Sequence, residues 1–300
     1  MSCNPCLRKL VINCVILLFL IIILPKFLFA QDSNFYSRSL INNLKSYFLT
    51  YYYQIKEKHI IRPTEQVLKD LKQIAAQHSK INKEQILNTH DFAGLSSLFD
   101  KYLKYYGKSI SIFTVNDSGI VNCWLGDLVE ERREKRNIWG KEVGFTIKVI
   151  DNLKIRDFTY FLTKGREALD VGTREDVIYY NLEAYKMRTG SIWDFFSDRE
   201  DKNKNRLYDP SKSNRLRKWL YYKTWLSLYM YCVKDSRDLA VSKIKFIDQA
   251  VKLLKENSLF HEMGHIFFSR YIGLDDETEE ETIAFLSELR YGPLPYESLE

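Results

Sequence analysis

The 300-residue chain is poor in the residues that interrupt regular structure. It contains only 12 glycines and 6 prolines, and it carries no internal repeat or low-complexity tract. This scarcity favours long helices and strands, and it excludes a collagen-like rod and a disordered chain rich in Gly and Pro. Hydrophobic residues make up 45% and charged residues 28%, which is a globular composition with enough apolar material for a sizeable core.

A strong excess of charge is also missing. The chain has 45 Lys and Arg against 39 Asp and Glu, which leaves a net charge of +6, and the basic residues are dispersed. Nucleic-acid binding is indicated by basic residues concentrated on one surface or stretch. We therefore expect no nucleic acid among the partners.

Only one long apolar run stands out, and it lies at the N-terminus. Residues 10–24 follow two basic residues and are almost entirely apolar. A positive end, an apolar core and a polar continuation are the layout of a signal peptide or an N-terminal membrane anchor, here residues 1–30. Cleavage after Ala30 and attachment to a membrane through residues 10–30 both remain open. In either case we expect the rest of the chain to be extracytoplasmic: secreted, periplasmic or anchored.

Cysteine is scarce as well. Three of the five cysteines lie in or before the apolar run, so only Cys123 and Cys232 belong to the rest of the chain. In an oxidising compartment these two could form one disulfide. Two separate buried thiols are the alternative.

Residues 31–107 are predicted to form a helical N-terminal region. Apolar residues recur at helical spacing from residue 40 to residue 52, and Pro63 and Thr64 begin a second helix. A third helix is expected over residues 86–105, with a break near Gly94.

Residues 108–300 are predicted to add a small sheet and more helices. Alternating β-branched residues on both sides of 116–119 predict a hairpin, and 143–150 is a third strand candidate. The densely charged stretch 130–136 predicts a solvated helix or loop. We expect an α+β fold, mainly helical with a small antiparallel sheet. No linker rich in Pro or Gly separates this part from residues 31–107, so the two could be one domain.

Three further helices are expected before the segment that carries chemistry. They cover 173–190, 214–233 and 237–256, and the aromatic residues between Trp219 and Tyr231 are predicted to be helical core. The polar stretch 198–213 between two of these helices predicts a surface loop. A lysine-rich solvated loop is favoured over a calcium site here. Four residues nevertheless have the alternating oxygen ligands of such a site: Asp201, Asn203, Asn205 and Asp209.

The segment that carries chemistry is residues 261–265, His-Glu-Met-Gly-His. Residues four apart on a helix share one face, so His261 and His265 can hold one metal ion between them. Glu262 can then take a proton from a metal-activated water. The neighbouring residues are uncharged, as a buried metal-bearing helix requires, so the segment predicts a zinc site with a Glu general base. Two satisfied histidines beside an incidental Glu are the alternative.

This segment resembles the active-site helix of the zincin metallopeptidases, over about residues 255–294. The third His of one branch, the metzincins, is absent, because Phe268 and Tyr271 occupy the glycine and histidine positions of its extended motif. The stretch from Glu281 to Ala284 is instead similar to the Glu-x-x-Ala pattern on the second metal helix of several gluzincins. That resemblance implies that Glu281 is the third ligand and that Ala284 permits close helix approach.

The chain around Glu281 is compatible with this assignment. Gly273 can end the metal helix, and residues 277–290 are predicted to form a second helix with Asp276 as its N-cap. So short a connection makes the two helices antiparallel, which lets an acid on the second approach both histidines. Glu281 could instead form a capping box with Thr278. Four other acids remain open as the third ligand: Glu280, Glu279, Glu277 and Glu288.

The sequence thus predicts a zinc-dependent metallopeptidase that acts on a protein or peptide. Tyr291 and Tyr271 are candidates to help at the oxyanion, and strand 143–150 or one arm of the hairpin is a candidate edge for an extended peptide. The alternative is a non-catalytic extracytoplasmic helical protein with a structural or degenerate metal site.

Overall fold

A computed structural model describes most of the chain after the apolar N-terminal run. The structure does not describe the signal or anchor segment 1–30 or the loop at 201–209, so the expectations about these two segments stay predictions. It also leaves out the side chains of residues 115, 215–221 and 277. The described ranges are residues 35–115, 119–164, 169–197, 215–234, 238–273 and 276–294. Within these ranges, no helix combines the length and the apolar character that crossing a membrane requires.

The chain divides into two compact units, with the division between Cys123 and Trp124. The expected domain boundary at residue 107 lies before the first strand and stays a prediction. Both Cys123 and Cys232 are buried free thiols, so the structure has the two-thiol alternative and not the disulfide.

The described part of the first unit contains four helices and one complete strand. Its elements are α1 (residues 35–58), α2 (Thr64–His78), α3 (Lys83–Leu87), α4 (Phe92–Lys104), β1 (Lys108–Val115) and the start of β2 (Ile120–Ile138).

The predicted helical periodicity of the first unit is confirmed. Leu40, Leu44 and Phe48 on α1 are fully buried, and the hydroxyl of Tyr52 accepts a hydrogen bond from the backbone N–H of Cys123. The expected third helix is broken before α4, where the Asp91 carboxylate accepts from Gly94 N at 2.7 Å and so caps the new helix.

The second unit combines strands and long helices. Its elements are the rest of β2, β3 (Lys141–Ile155), α5 (Phe158–Leu162), β4 (Val171–Arg174), β5 (Val177–Asn181), α6 (Leu182–Ser197), α7 (Arg215–Lys234), α8 (Leu239–Tyr271) and α9 (Glu277–Tyr291). The fold is therefore α+β and rich in helix, as predicted.

The sheet is mixed, and the expectation of an antiparallel sheet is wrong in one strand pair. The strand order is β1-β2-β3-β5-β4, in which β3 runs parallel to β5 while β2–β3 and β4–β5 are antiparallel. The chain between β3 and β5 passes through α5 and β4, and this longer connection lets β5 run in the same direction as β3. Of the two candidate edges for a peptide, strand 143–150 is thus internal, whereas the hairpin arm β1 is an edge, as is β4.

Two segments predicted to be helical or irregular form strands. The charged stretch 130–136 belongs to β2, where residues two apart share a face and pair: Arg136 Nε lies 3.2 Å from Glu134 Oε2. The expected helix at 173–190 starts only at Leu182. The β-branched and aromatic residues before it form a tight hairpin instead, with a turn at Glu175 and Asp176.

The metal-motif helix α8 is longer than expected, because the predicted helix 237–256 continues through residues 261–265 without a break. It ends at Gly273, whose positive φ of 66° and N–H bond to Phe268 O provide the predicted left-handed end. Helix α9 follows after a short connection and begins at the predicted cap, Asp276.

Candidate metal centre

The two histidines of the motif present their Nε2 atoms to each other on one face of α8. These atoms are 3.2 Å apart. Two nitrogen ligands at the usual distance of about 2.0–2.1 Å from a tetrahedral ion are separated by about 3.3 Å, so the spacing suits a shared cation. Both His261 and His265 are largely buried, with 18% of each side chain exposed.

Glu281 reaches the same point from α9. Its Oε2 lies 3.7 Å from His261 Nε2, and its Oε1 lies 3.8 Å from His265 Nε2. One ligand atom from each of the three residues lies within 4.8 Å of the other two. Two imidazole nitrogens and a carboxylate oxygen are a donor set that zinc uses in catalytic sites, so the residues fit this metal. Half of the Glu281 side chain is exposed, so solvent reaches the cluster.

Two small residues bring the ligand helices together. A Cβ on Gly264 would lie 2.5 Å from Ala284 Cα and 3.0 Å from Ala284 N, which is closer than side chains approach a backbone. Ala284 is itself fully buried. The small residues allow a short distance between the helix axes, and Glu281, one turn before Ala284, can therefore reach the imidazoles.

Two of the alternative acids face the opposite side of the imidazole rings. Glu280 Oε1 lies 3.0 Å from His265 Nδ1, and Glu288 Oε2 lies 3.4 Å from His261 Nδ1. A histidine that binds a metal through Nε2 usually directs its Nδ1–H at an acceptor, which fixes the ring. Glu280 and Glu288 thus lie on the Nδ1 sides of the rings, whereas Glu281 lies on the side where the two Nε2 atoms meet.

Among the remaining alternatives, Glu279 has no described contact with the cluster. Glu279 is exposed, and the side chain of Glu277 lies outside the described residues. The capping role considered for Glu281 is wrong, because Asp276 caps α9 by accepting hydrogen bonds from Thr278 N at 2.9 Å and Glu279 N at 3.1 Å. Thr278 lies inside the first turn, where it cannot act as the N-cap.

Glu262 is directed toward the sheet. Its Oε2 accepts a hydrogen bond from the hydroxyl of Thr173, and only 6% of the residue is exposed. Thr173 lies on the edge strand β4, which is far from α8 in sequence. The acid next to the metal ligands is therefore held by a strand of the sheet.

The pKa values of two residues at the site lie above their ordinary values. Burial raises the pKa of Glu262 above its ordinary value of 4.5, although the two imidazoles and the Thr173 hydroxyl oppose the shift. Burial lowers the pKa of His261, but the Glu288 carboxylate together with the charges of Glu262 and Glu281 outweighs it, so this pKa lies above 6.5. A cation that binds here must displace the proton that these carboxylates favour.

The two tyrosines considered for the oxyanion have hydroxyl groups that bond to the chain at the turn between β2 and β3. The hydroxyl of Tyr291 accepts from Trp139 N at 3.1 Å, and the hydroxyl of Tyr271 donates to Glu142 O at 3.0 Å. Both residues thus fasten the turn between β2 and β3 to the helices.

Sequence reasoning missed two residues that contact the site residues. Thr173 lies on a strand that was predicted to be helical, and no local pattern connects it with Glu262. Asn257 could have been found, because it precedes His261 by four residues on the same face of α8, in a largely apolar stretch. Its side chain donates to Glu288.

Comparisons with family models, with curated proteins and with solved structures gave no match to this chain. The zincin resemblance therefore rests on the residues of the α8–α9 pair.

Proposed function

We propose that the protein is an extracytoplasmic zinc metallopeptidase, secreted or anchored through residues 10–30. The observation that carries the proposal is the convergence of His261 Nε2, His265 Nε2 and the Glu281 carboxylate at one point. Catalytic zinc sites have three protein ligands and access for water, whereas structural sites are closed by four. The partly exposed Glu281 supports the catalytic type.

The surrounding residues supply the remaining parts of peptide hydrolysis. Zinc, when bound, polarises the peptide carbonyl and lowers the pKa of the attacking water. Glu262 takes the proton from this water and passes it to the leaving amine. Thr173 holds one oxygen of Glu262, Glu280 contacts His265 Nδ1, and Glu288 lies 3.4 Å from His261 Nδ1.

The edge strand β4 supports a peptide as the substrate. Thr173 on this strand contacts Glu262, so a chain that pairs with β4 passes beside the general base. One side of β4 carries no strand among the described residues. Backbone hydrogen bonds to such an edge bind an extended peptide without requiring one particular sequence.

One observation favours the non-catalytic alternative. The Glu262 carboxylate is buried and bonded to Thr173, which is also what a structural acid would do. In that case the three ligands would hold a metal that stabilises the α8–α9 pair, and no hydrolysis would follow.

Metal analysis and the substitution Glu262→Gln distinguish the two functions. The purified full chain is expected to bind about one zinc ion per molecule and to cleave unfolded casein. Glu262→Gln should retain the zinc and lose about a hundredfold or more of the hydrolysis rate, because the amide cannot accept the proton. Glu279→Gln, an exposed acid on α9, is the matched control and should cleave like the wild type. If the chain binds zinc but Glu262→Gln cleaves casein as fast as the wild type, the proposed chemistry is refuted.

A further inference from the structure

We propose that Asn257 is a positioning residue of the zinc site and ties the C-terminal end of α9 to His261 through Glu288. The inference rests on the proposed function, since it concerns the same zinc site. It adds a side chain that contacts neither the cation nor the substrate.

The amide of Asn257 is bonded at both ends. Its Nδ2 donates to Glu288 Oε1, and its Oδ1 accepts from the backbone N–H of Leu294 at 2.8 Å. Only 2% of Asn257 is exposed, so water does not replace these partners. One side chain therefore joins α8, α9 and the segment that follows α9.

Glu288 needs this amide to keep its orientation. It is 7% exposed, with one carboxylate oxygen on Asn257 and the other 3.4 Å from His261 Nδ1. The contacts described for Glu288 include no Lys or Arg, so Asn257 is its neutral donor opposite the imidazole. Without the amide, the buried carboxylate would turn toward other donors or solvent, and the His261 ring would lose the negative charge beside its Nδ1.

Gly292 holds Asn257 from the other side. A Cβ at residue 292 would lie 2.5 Å from Asn257 Oδ1 and 2.6 Å from Glu288 O. A methyl group there must displace the amide or the end of α9. Gly292→Ala therefore disturbs the proposed connection without removing a polar group or touching a metal ligand.

Zinc affinity, measured on the full chain by competition with a chromophoric chelator, tests the proposal. Glu288→Gln is expected to bind zinc about 10- to 100-fold more weakly, and Asn257→Ala about tenfold more weakly. If Asn257 acts through Glu288, then Asn257→Ala should add almost nothing in the Glu288→Gln background. Two full, additive losses would show that Asn257 only supports the fold, and they would overturn the proposal.

Two glycine substitutions give a matched comparison. Gly292→Ala should weaken zinc binding several-fold, whereas Gly190→Ala on α6, whose Cβ would meet nothing within 4 Å, should bind zinc like the wild type. Thermal unfolding with excess chelator checks that each variant folds. If Asn257→Ala does not fold, the Gly292→Ala result decides, and wild-type affinity there overturns the proposal.

Failure of the proposed function gives a different result. If the wild type does not bind zinc, or binds it equally well after His261→Ala, the zinc site itself is refuted. If the wild type binds zinc through His261 while both Asn257→Ala and Gly292→Ala match it, only the positioning role is overturned.

Discussion

One carboxylate cluster in each compact unit shows a different way of meeting negative charge. In the first unit, Asp70 accepts hydrogen bonds from Arg62 Nη1 at 2.9 Å, Gln66 Nε2 at 2.7 Å and Tyr47 OH at 3.1 Å. In the second unit, four carboxylates lie around two imidazoles, and the contacts described for them include no Lys or Arg. These four are Glu262, Glu280, Glu281 and Glu288.

The Asp70 cluster contains a protein cation, whereas the contacts described for the four glutamates include none. The guanidinium of Arg62 meets the negative charge of Asp70, so that cluster is complete with protein groups alone. The imidazoles at α8 carry a full positive charge only when they are protonated, and then they cannot bind a metal. A divalent cation between the two Nε2 atoms would offset part of the negative charge of the four carboxylates while the imidazoles stay neutral.

The largest expected effect comes from removing a ligand. His261→Ala and His265→Ala should each abolish stoichiometric zinc binding, because two remaining protein ligands do not hold the ion firmly. Metal analysis after dialysis measures this loss. His78→Ala, in the first unit beside Ser39, is the control and should retain the zinc. Equal zinc content in all three variants would place the metal elsewhere.

A smaller effect is expected from separating the ligand helices. Gly264→Ala places a methyl group against the backbone of Ala284 and should lower the free energy of unfolding by about 1–3 kcal/mol, with weaker zinc binding as Glu281 moves away. Chemical denaturation and chelator competition measure the two quantities. Gly190→Ala, a helical position with open space, should instead be neutral or raise stability by up to about 1 kcal/mol. A Gly264→Ala variant with wild-type stability and affinity would contradict the close helix contact.

The smallest expected effect concerns pH. The pKa of His261 in the folded, metal-free chain lies above 6.5, so its protonation stabilises the fold below pH 6.5, and this contribution is lost as the pH rises through the raised pKa. With chelator present, the free energy of unfolding should fall over that window by less than about 1.4 kcal/mol per pH unit. Zinc affinity should rise over the same window, because the ion no longer competes with a proton.

The direction of this change is checked by measuring the free energy of unfolding across the same pH range in two variants. His261→Asn should remove the fall in stability, while His78→Ala should leave it in place. A wild-type chain whose metal-free stability rises through the window would contradict the raised pKa of His261.

Local patterns predicted the two helices of the candidate site well but the sheet poorly. The histidines, the Asp276 cap and the Gly273 end depend on residues only a few positions apart, and α8 and α9 have all of these features. Residues 130–136 look like a solvated segment until β3 is known to lie beside them, because only the partner strand satisfies their backbone.

The environment of Glu262 was unpredictable for the same reason. Thr173 approaches it through the β4–β5 hairpin, and nothing in residues 171–181 indicates that this hairpin lies against α8. Asn257 is the intermediate case. Its spacing from His261 was visible in the sequence, but its role depends on Glu288 and Leu294, which approach only after α9 has folded back.

The short connection between α8 and α9 has a consequence for the order in which the protein matures. All three proposed ligands belong to one helical hairpin, so the loop that must close to assemble them is small and its entropic cost is low. The support of Glu262 by Thr173 depends on a contact of much larger sequence separation. In the proposed enzyme, the cation can therefore be captured early, while cleavage starts only after the β4–β5 hairpin has docked, which protects the folding chain from its own activity.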